Sequence, residues 1–337
     1  MGANSNIEWT HHTFNPWRGC TKVSQDCKHC YAETLSKRNP STLGIWGPRG
    51  TRSIAAENYW KQPIKWNADA IKAGERRRVF CASLADVFEG PETMPAEAWP
   101  LVQSARVRLF DLIAATPGLD WLLLTKRPEN IKPQLIDAGR GFQDLPPHIW
   151  IGTSVEDQAT ADERIPHLLK VPAAVRFLSC EPLLGPVDLS PFHIGWHRCA
   201  TCGVARDPDA EHPLGSDVYC QNCYNDYLLP VDGLHLHWII AGGESGAGAR
   251  PMHPDWARLL RDQCNTAGVA FHFKQWGEYV DGMHAPSATH SFLLDRPSVN
   301  IVGMRKGDIS PITQMFRVGK HATGRLLDRR EWNEFPT

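Results

Sequence analysis

The sequence predicts an α/β fold, an incomplete parallel (β/α) barrel of about six to seven strands with a small cysteine-rich module inserted in it. Three observations predict this fold. Short, almost uninterrupted apolar runs alternate with stretches of helical periodicity, which is typical of strands buried on both faces of a parallel sheet. Polar residues follow each apolar run, and one polar stretch with two CxxC pairs interrupts the series. A doubly wound open sheet is the second possibility.

The elements follow one another along the chain in βα order. The barrel is expected to span residues 1–190 and 234–337, with an N-terminal loop and a C-terminal cap, and the inserted module to span 191–233. Helices are expected within 94–117, 159–170 and 253–268, where apolar residues recur at helical spacing. Strands are expected near 8–16 and within 77–89, 119–131, 148–158, 174–189, 236–246 and 269–279.

The composition is that of a soluble globular protein. Of the 337 residues, 42% are hydrophobic and 22% are charged, and the net charge is −1. No apolar run approaches the roughly 18 residues of a membrane-spanning helix, and no secretory signal is visible, so we expect a cytoplasmic protein without a membrane partner. Thiols stay reduced in the cytosol, and the ten cysteines therefore indicate metal binding rather than disulfides.

Chemically capable side chains follow nearly every predicted strand. In a parallel barrel the carboxyl ends of the strands meet at one face, where active sites lie, so we expect these residues to converge there. The basic run GERRRVF (74–80) is a weaker candidate for binding nucleic acid, since such runs are commonly solvated helix ends. The strand-end residues are Ser83 and Asp86; Thr125, Lys126 and Arg127; Ser154 and Glu156; Cys180 and Glu181; Glu244 and Ser245; and Lys274 and Gln275.

The inserted stretch has the spacing of a structural zinc site. Cys199, Cys202, Cys220 and Cys223 form the pattern C-x2-C-x17-C-x2-C, in which two tight turns each present two thiolates to one tetrahedral ion. The stretch is polar and too short to build a core alone, so metal binding would supply its folding energy. We therefore expect a zinc-ribbon-like module with four cysteine ligands.

Three further cysteines, Cys20, Cys27 and Cys30, lie close together after the first predicted strand. Three thiolates on a [4Fe–4S] cluster leave one iron without a protein ligand, and that open position can bind a small molecule. The familiar ligand is S-adenosylmethionine, so these cysteines are candidate ligands of a cluster that binds this cofactor.

The three-cysteine loop resembles that of the radical S-adenosylmethionine superfamily. The fuller resemblance is to an uncharacterised phage and prophage family with a three-cysteine motif, and it covers most of the chain outside the inserted module. The spacing here is C-x6-C-x2-C where the superfamily commonly has C-x3-C-x2-C. The matching segments are FNPWRGCTKVSQDCKHCYAE, CASLADVF, LLLTKRP, IGTSVED, FLSCEPLLGPVDL, WIIAGGESG, HFKQWGEY and GKHATGRLLDRREWNEFP.

The resemblance implies a set of cofactor contacts at the strand ends. It also implies an electron donor protein and an incomplete barrel, as in the superfamily. By position, the implied contacts are Ser83 and Asp86 for the methionine amino group, Lys126 for its carboxylate, Ser154 and Glu156 for the ribose hydroxyls, and Gly242, Gly243 and Glu244 for close backbone approach and hydrogen bonding.

The expected function is generation of a 5′-deoxyadenosyl radical that abstracts hydrogen from a substrate. Among the 13 tryptophans, those in NPWRGC, GIWGPRG and KQWGEY lie beside Arg or Lys, a pattern that suits bases and phosphates. A nucleic-acid base or nucleoside is therefore the leading substrate, and a free nucleotide or small metabolite stays open. In the tail, Lys320, His321 and Arg325 are candidates to cap the site or to contact phosphate.

Two non-catalytic alternatives stay open at this point. In the first, both cysteine groups hold zinc in a nucleic-acid-binding protein, and Cys81, Cys180 or His29 supplies the fourth ligand of the N-terminal group. In the second, an iron–sulfur cluster serves as a redox sensor. Iron and zinc analysis distinguishes these alternatives from the enzyme.

Overall fold

The computed structural model of the chain describes residues 5–143, 145–192, 235–284 and 312–336 in full. For 197–199, 205–206, 228–230, 298–305 and 308–311 it describes the backbone.

The centre of the molecule is a seven-stranded parallel sheet curled into a half-barrel. The spatial order of the strands equals their order along the chain, and every neighbouring pair is parallel. This confirms the α/β class, and it excludes the doubly wound alternative, which requires a reversal of strand order. The strands are β1 (His12–Thr13), β2 (Arg77–Cys81), β3 (Leu119–Thr125), β4 (Ile149–Ser154), β5 (Val175–Cys180), β6 (Trp238–Gly242) and β7 (Ala270–Gln275).

Six helices of seven residues or more connect or flank the strands within the part of the chain described above. Local sequence explains several of their ends: Asp157 caps the fifth helix by accepting a hydrogen bond from the Thr160 amide at 2.9 Å, and Gly74 and Gly268 end two helices in the left-handed region. The helices are α1 (Tyr31–Arg38), α2 (Gln62–Ala73), α3 (Trp99–Ala114), α4 (Ile131–Asp137), α5 (Gln158–Leu169) and α6 (Pro254–Ala267).

Two apolar clusters hold this architecture together. The larger one lies between the sheet and the helices and includes Trp121 and Leu109, both fully buried. The smaller one fills the inside of the curled sheet, where the Trp238 ring lies 6.2 Å from both Trp9 and Trp150. Trp9 precedes β1 whereas Trp238 begins β6, so this contact brings strands from the two sides of the curled sheet together.

The C-terminal tail closes the amino-terminal end of the sheet. Phe335 packs on Trp238 at 5.2 Å, and the Arg78 guanidinium lies 3.8 Å above the Phe335 ring. The other arginines of the basic run are paired, Arg76 with Asp120 and Arg77 with Glu75. The run therefore lies at the end of the sheet opposite to the strand-end residues predicted to carry function.

The chain also forms smaller antiparallel sheets outside the seven-stranded sheet. One joins Tyr279–Val280, Ser298–Arg305 and Asp308–Arg317, a ribbon that the apolar pattern does not predict. Another joins His197–Cys199, Ala205–Arg206 and Leu228–Pro230 inside the predicted insertion.

The predicted zinc site in that insertion stays a prediction. Only the backbone of Cys199 is described, and Cys202, Cys220 and Cys223 lie outside the described residues. In the described part of the chain, no helix is long and apolar enough to span a membrane.

Candidate functional site

A cavity of about 640 Å³ lies at the carboxyl ends of the strands. Cys20, Cys27 and Cys30 line it together, and so do strand-end residues that the sequence singles out. The convergence expected of a parallel barrel is therefore present. The predicted cofactor contacts that line the cavity are Ser83, Asp86, Lys126, Ser154, Gly243 and Glu244.

The loop from Gly19 to Cys30 carries the three thiols. It contains a single 3-10 turn at Gln25–Cys27, and Cys30 is the residue from which α1 starts. All three cysteines are free thiols; Cys27 is buried, and the other two are partly exposed. The N-terminal end of α1, where the helix dipole places partial positive charge, lies at Cys30.

Three cations from neighbouring segments of the half-barrel hold this loop in place. The Lys126 ammonium lies 3.0 Å from the Asp26 carboxylate, and Arg164 donates to the Ser24 hydroxyl at 2.7 Å. Arg250 donates to the Gln25 carbonyl at 3.1 Å. Because the segment after β3, helix α5 and the segment after β6 each contribute one cation, the loop position depends on the folded half-barrel.

The first thiol lies beside a buried network of charges. Arg127 donates to the Asp86 carboxylate at 2.9 Å and to the Thr21 carbonyl at 2.7 Å, and its Nη1 lies 3.9 Å from the Cys20 sulfur. Burial raises the pKa of the Cys20 thiol to about 12, and the carboxylates of Glu89 and Asp86 act in the same direction. Bound metal, which stabilises the thiolate, would offset this effect.

Lys126 and Ser154 form a polar patch on the cavity wall. The Lys126 ammonium donates to the Ser154 hydroxyl at 3.2 Å. Burial alone would lower the pKa of Lys126, but the Asp26 carboxylate and the Cys27 sulfur raise it above its ordinary value. Lys126 therefore stays charged and is suited to hold a carboxylate or phosphate in the cavity.

The predicted acids have strong partners within the protein. Four groups donate to the Asp86 carboxylate: the Arg127 guanidinium, the Thr125 hydroxyl and the amides of Lys126 and Phe88. The Arg250 guanidinium binds Glu244 through two nitrogens, at 2.8 and 2.7 Å. Both side chains therefore contribute to the shape of the cavity wall.

Two predicted contacts lie behind the cavity wall. Glu156 pairs with Arg164 at 3.2 Å, and burial, followed by the charge of Asp26, raises its pKa. Gly242 lies in β6, packed between Glu181 and Lys274. At the adjacent Gly243 a methyl group would lie 1.9 Å from the Trp276 carbonyl oxygen, so glycine is required there by backbone packing.

Several residues at the site carry no role in the sequence interpretation. The Asn15 side chain donates to the Ser83 hydroxyl at 3.1 Å and accepts from the Leu84 amide at 2.7 Å, tying the end of β1 to the end of β2. Glu181 and Lys274, recognised only as strand-end residues, form an ion pair of 2.6 Å on the cavity wall. Asn15 lies within the recognised segment FNPWRGCTKVSQDCKHCYAE, which is the one signal that could have identified it.

The three thiols of the loop are the candidate metal ligands at the cavity. Among the described residues, no group of three or more His, Cys, Asp or Glu side chains is arranged to hold one metal ion. A mononuclear zinc site needs four donors about 2.0–2.3 Å from one point. The three thiolates of an iron–sulfur cluster each bind a different iron and need no such convergence. Cys20, Cys27 and Cys30, three free thiols on one loop at the cavity, are the residues that could hold such a cluster.

Residues 4–336 match the family model described as "Protein of unknown function (DUF5131)". The match covers nearly the whole chain, and the chain therefore belongs to this family. No curated protein and no solved structure matches the chain.

Proposed function

We propose that the protein is a radical S-adenosylmethionine enzyme in which Cys20, Cys27 and Cys30 ligate a [4Fe–4S] cluster. The observation that carries this proposal is the shared cavity: three free thiols of one loop face the polar carboxyl ends of the strands. Three protein thiolates leave one coordination position of such a cluster for the cofactor. The cavity is where that cofactor and a substrate would meet.

When bound together, cluster and cofactor would supply reductive cleavage of the cofactor and radical abstraction of a substrate hydrogen. The chain contributes binding and shielding. Lys126 presents a cation for the methionine carboxylate, and the Ser154 hydroxyl beside it is available to a ribose. Trp9, Phe80 and Leu124 form an apolar inner wall that keeps water from the reacting atoms.

The lining of the cavity supports a nucleobase or nucleoside as substrate. Of the three tryptophans predicted to lie beside cations at the site, Trp46 lines the cavity, whereas Trp17 and Trp276 are buried in the core and cannot stack on a base.

The cavity lining offers other groups that can bind a base or phosphate. Tyr31 and Trp46 provide aromatic surface, and Lys320 provides a cation. Lys28 and Arg49 are exposed on the same N-terminal segment. Aromatic rings with neighbouring cations bind bases and phosphates by stacking and charge.

The proposed reaction requires a reducing environment and a stable fold around the cavity. The enzyme would work in the cytoplasm, where an electron donor protein can reduce the cluster and thiols stay reduced. Cys199, Cys202, Cys220 and Cys223 would hold a structural zinc ion that stabilises the inserted module.

Anaerobic metal analysis of the purified protein tests the proposal. We expect about four irons, four sulfides and one zinc per chain, a cluster spectrum that changes when S-adenosylmethionine is added, and formation of 5′-deoxyadenosine after reduction. The variants Cys20→Ala, Cys27→Ala and Cys30→Ala should each lose the iron and retain the zinc. Cys264→Ala, which replaces a buried cysteine of α6, is the matched control and should retain both metals.

Two zincs without iron would overturn the proposal in favour of a zinc-stabilised binding protein. An intact cluster whose spectrum ignores S-adenosylmethionine would overturn it in favour of a redox sensor.

A further inference from the structure

Arg127 stands out among the residues near the three thiols because it is both buried and charged. Its side chain is 4% exposed, and it is the second residue after β3. Its Nη1 donates to the Cys20 sulfur at 3.9 Å, and its Nη2 donates to the carbonyl oxygen of the next residue, Thr21, at 2.7 Å. One guanidinium therefore contacts both the first thiol and the backbone that carries it.

A second ion pair fixes the surroundings of this guanidinium. Arg52 and Glu89 are fully buried and joined by two hydrogen bonds, at 2.8 and 2.7 Å. Glu89 also accepts from the Thr21 amide at 3.0 Å, and Arg52 donates to the Thr21 hydroxyl at 3.0 Å. The loop residue after Cys20 is thus held on three sides.

Without the Cys20 sulfur, the net charge of this network of buried side chains is zero. Arg52 and Arg127 contribute two positive charges, and Asp86 and Glu89 contribute two negative charges. Arg52 pairs with Glu89, whereas Arg127 pairs with Asp86, lies 3.8 Å from Glu89 and donates to the Cys20 sulfur. At Cys20, Arg127 stabilises added negative charge, whereas Asp86 and Glu89 disfavour it.

We propose that Arg127 is a positioning residue that fixes Cys20 and raises the reduction potential of the cluster through its charge, with Asp86 and Glu89 as the opposing charges. This inference rests on the proposed function. Reduction adds one electron to the cluster, so a nearby cation favours the reduced state and a nearby anion disfavours it. Net charge and hydrogen bonds to the sulfurs are among the determinants of cluster potentials.

The test is an anaerobic redox titration of the reconstituted protein without S-adenosylmethionine, followed by electron paramagnetic resonance. At a fixed potential, Arg127→Met should lower the ratio of reduced to oxidised cluster about tenfold, a shift of about 59 mV for one electron. Asp86→Asn should shift the ratio in the opposite direction. Arg127→Lys, which keeps the charge but loses the two-pronged contact, should fall between wild type and Arg127→Met.

The exposed pair of Arg108 and Glu57 supplies matched controls, since Arg108→Met and Glu57→Gln change the same charges outside the cavity. Both should titrate like the wild type. If Arg127→Met fails to fold, Asp86→Asn and Arg127→Lys still decide the question. Equal potentials in all variants, or shifts of Asp86→Asn and Arg127→Met in the same direction, would overturn the role of Arg127. Wild-type protein that binds no iron would instead overturn the proposed function.

Discussion

Gly19 shows how closely the loop of thiols is fitted to the chain around it. Its φ angle is +114°, and a methyl group there would lie 2.3 Å from the Thr51 carbonyl oxygen. Its amide donates to the Leu84 carbonyl at 3.0 Å, which joins the loop to the residues that follow β2. Because Cys20 comes next, the first thiol is placed by a residue that has no side chain.

Gly19→Ala should therefore destabilise the protein by displacing the loop that carries Cys20. We expect a loss of about 2–4 kcal/mol in the free energy of unfolding, since unfavourable φ and a backbone clash act together. Gly47→Ala is the matched control: its φ of +110° is nearly the same, but nothing lies within 4 Å of the added methyl. It should lose only about 1–2 kcal/mol. Urea denaturation measures both, and equal losses would refute the clash.

The sequence predicts some residues of the site but not others. Asp86 and Lys126 are recognisable because they follow apolar strands, and both do line the cavity. Arg52 and Glu89 follow no such rule. They are 37 residues apart in the sequence and meet only because the segment that carries Arg52 folds back on the residues that follow β2. A charge network of this kind depends on tertiary contacts, which a single sequence does not encode locally.

At the scale of elements, the buried strands are the most predictable part of the fold. All seven strands lie within their expected windows, since strands covered on both faces are continuously apolar. The ribbon of Ser298–Arg305 and Asp308–Arg317 is not predicted by the same pattern. Its second strand contains Pro311, and a proline inside an apolar run argues against a strand unless that strand can spare the missing amide.

The strand β4 offers a test of how the inside of the curled sheet is packed. Gly152 lies opposite Phe177 of β5, and a methyl group at Gly152 would meet the Phe177 ring at 2.4 Å. Gly152→Ala should cost about 1–3 kcal/mol through overpacking. Phe177→Leu makes room for the added methyl group. The loss of unfolding free energy in the double variant should therefore be smaller than the sum of the two single losses by about 1 kcal/mol or more. Thermal or urea unfolding of the four proteins measures this coupling, and strictly additive losses would contradict the packing.

At the scale of the whole molecule, the half-barrel separates two environments. The carboxyl ends of the strands surround a polar cavity with thiols, whereas the inside below it is filled by aromatic and aliphatic side chains from five strands and the segment before β1. The order of the elements along the sequence predicts this arrangement, because consecutive parallel strands place all their carboxyl ends on one side. The depth of the curl is not predictable in this way, since it depends on how Trp9, Trp150 and Trp238 pack.

Two buried histidines, His12 and His272, and the half-buried His237 make the stability of the fold depend on pH. Burial is the main cause that lowers the pKa of His12 to about 4, of His237 to about 4 and of His272 to about 3. The His12 ring stacks on Trp66 at 4.4 Å, and neighbouring His11 and Arg77 lower its pKa further. Each histidine is therefore neutral in the folded protein at pH values where the unfolded chain takes up a proton.

This difference predicts the acid side of the stability curve. The folded pKa of His12 is below the unfolded value of about 6.5, so its full stability is present above pH 6.5 and is lost as the pH falls towards 4. In that range each such histidine lowers the free energy of unfolding by about 1.4 kcal/mol for every unit by which the pH falls. His12→Phe keeps an aromatic ring against Trp66 and removes the titrating group. Its unfolding free energy, measured in urea between pH 7 and 4.5, should decline less steeply than that of the wild type by about that amount. Parallel curves for the two proteins would show that His12 does not couple protonation to unfolding.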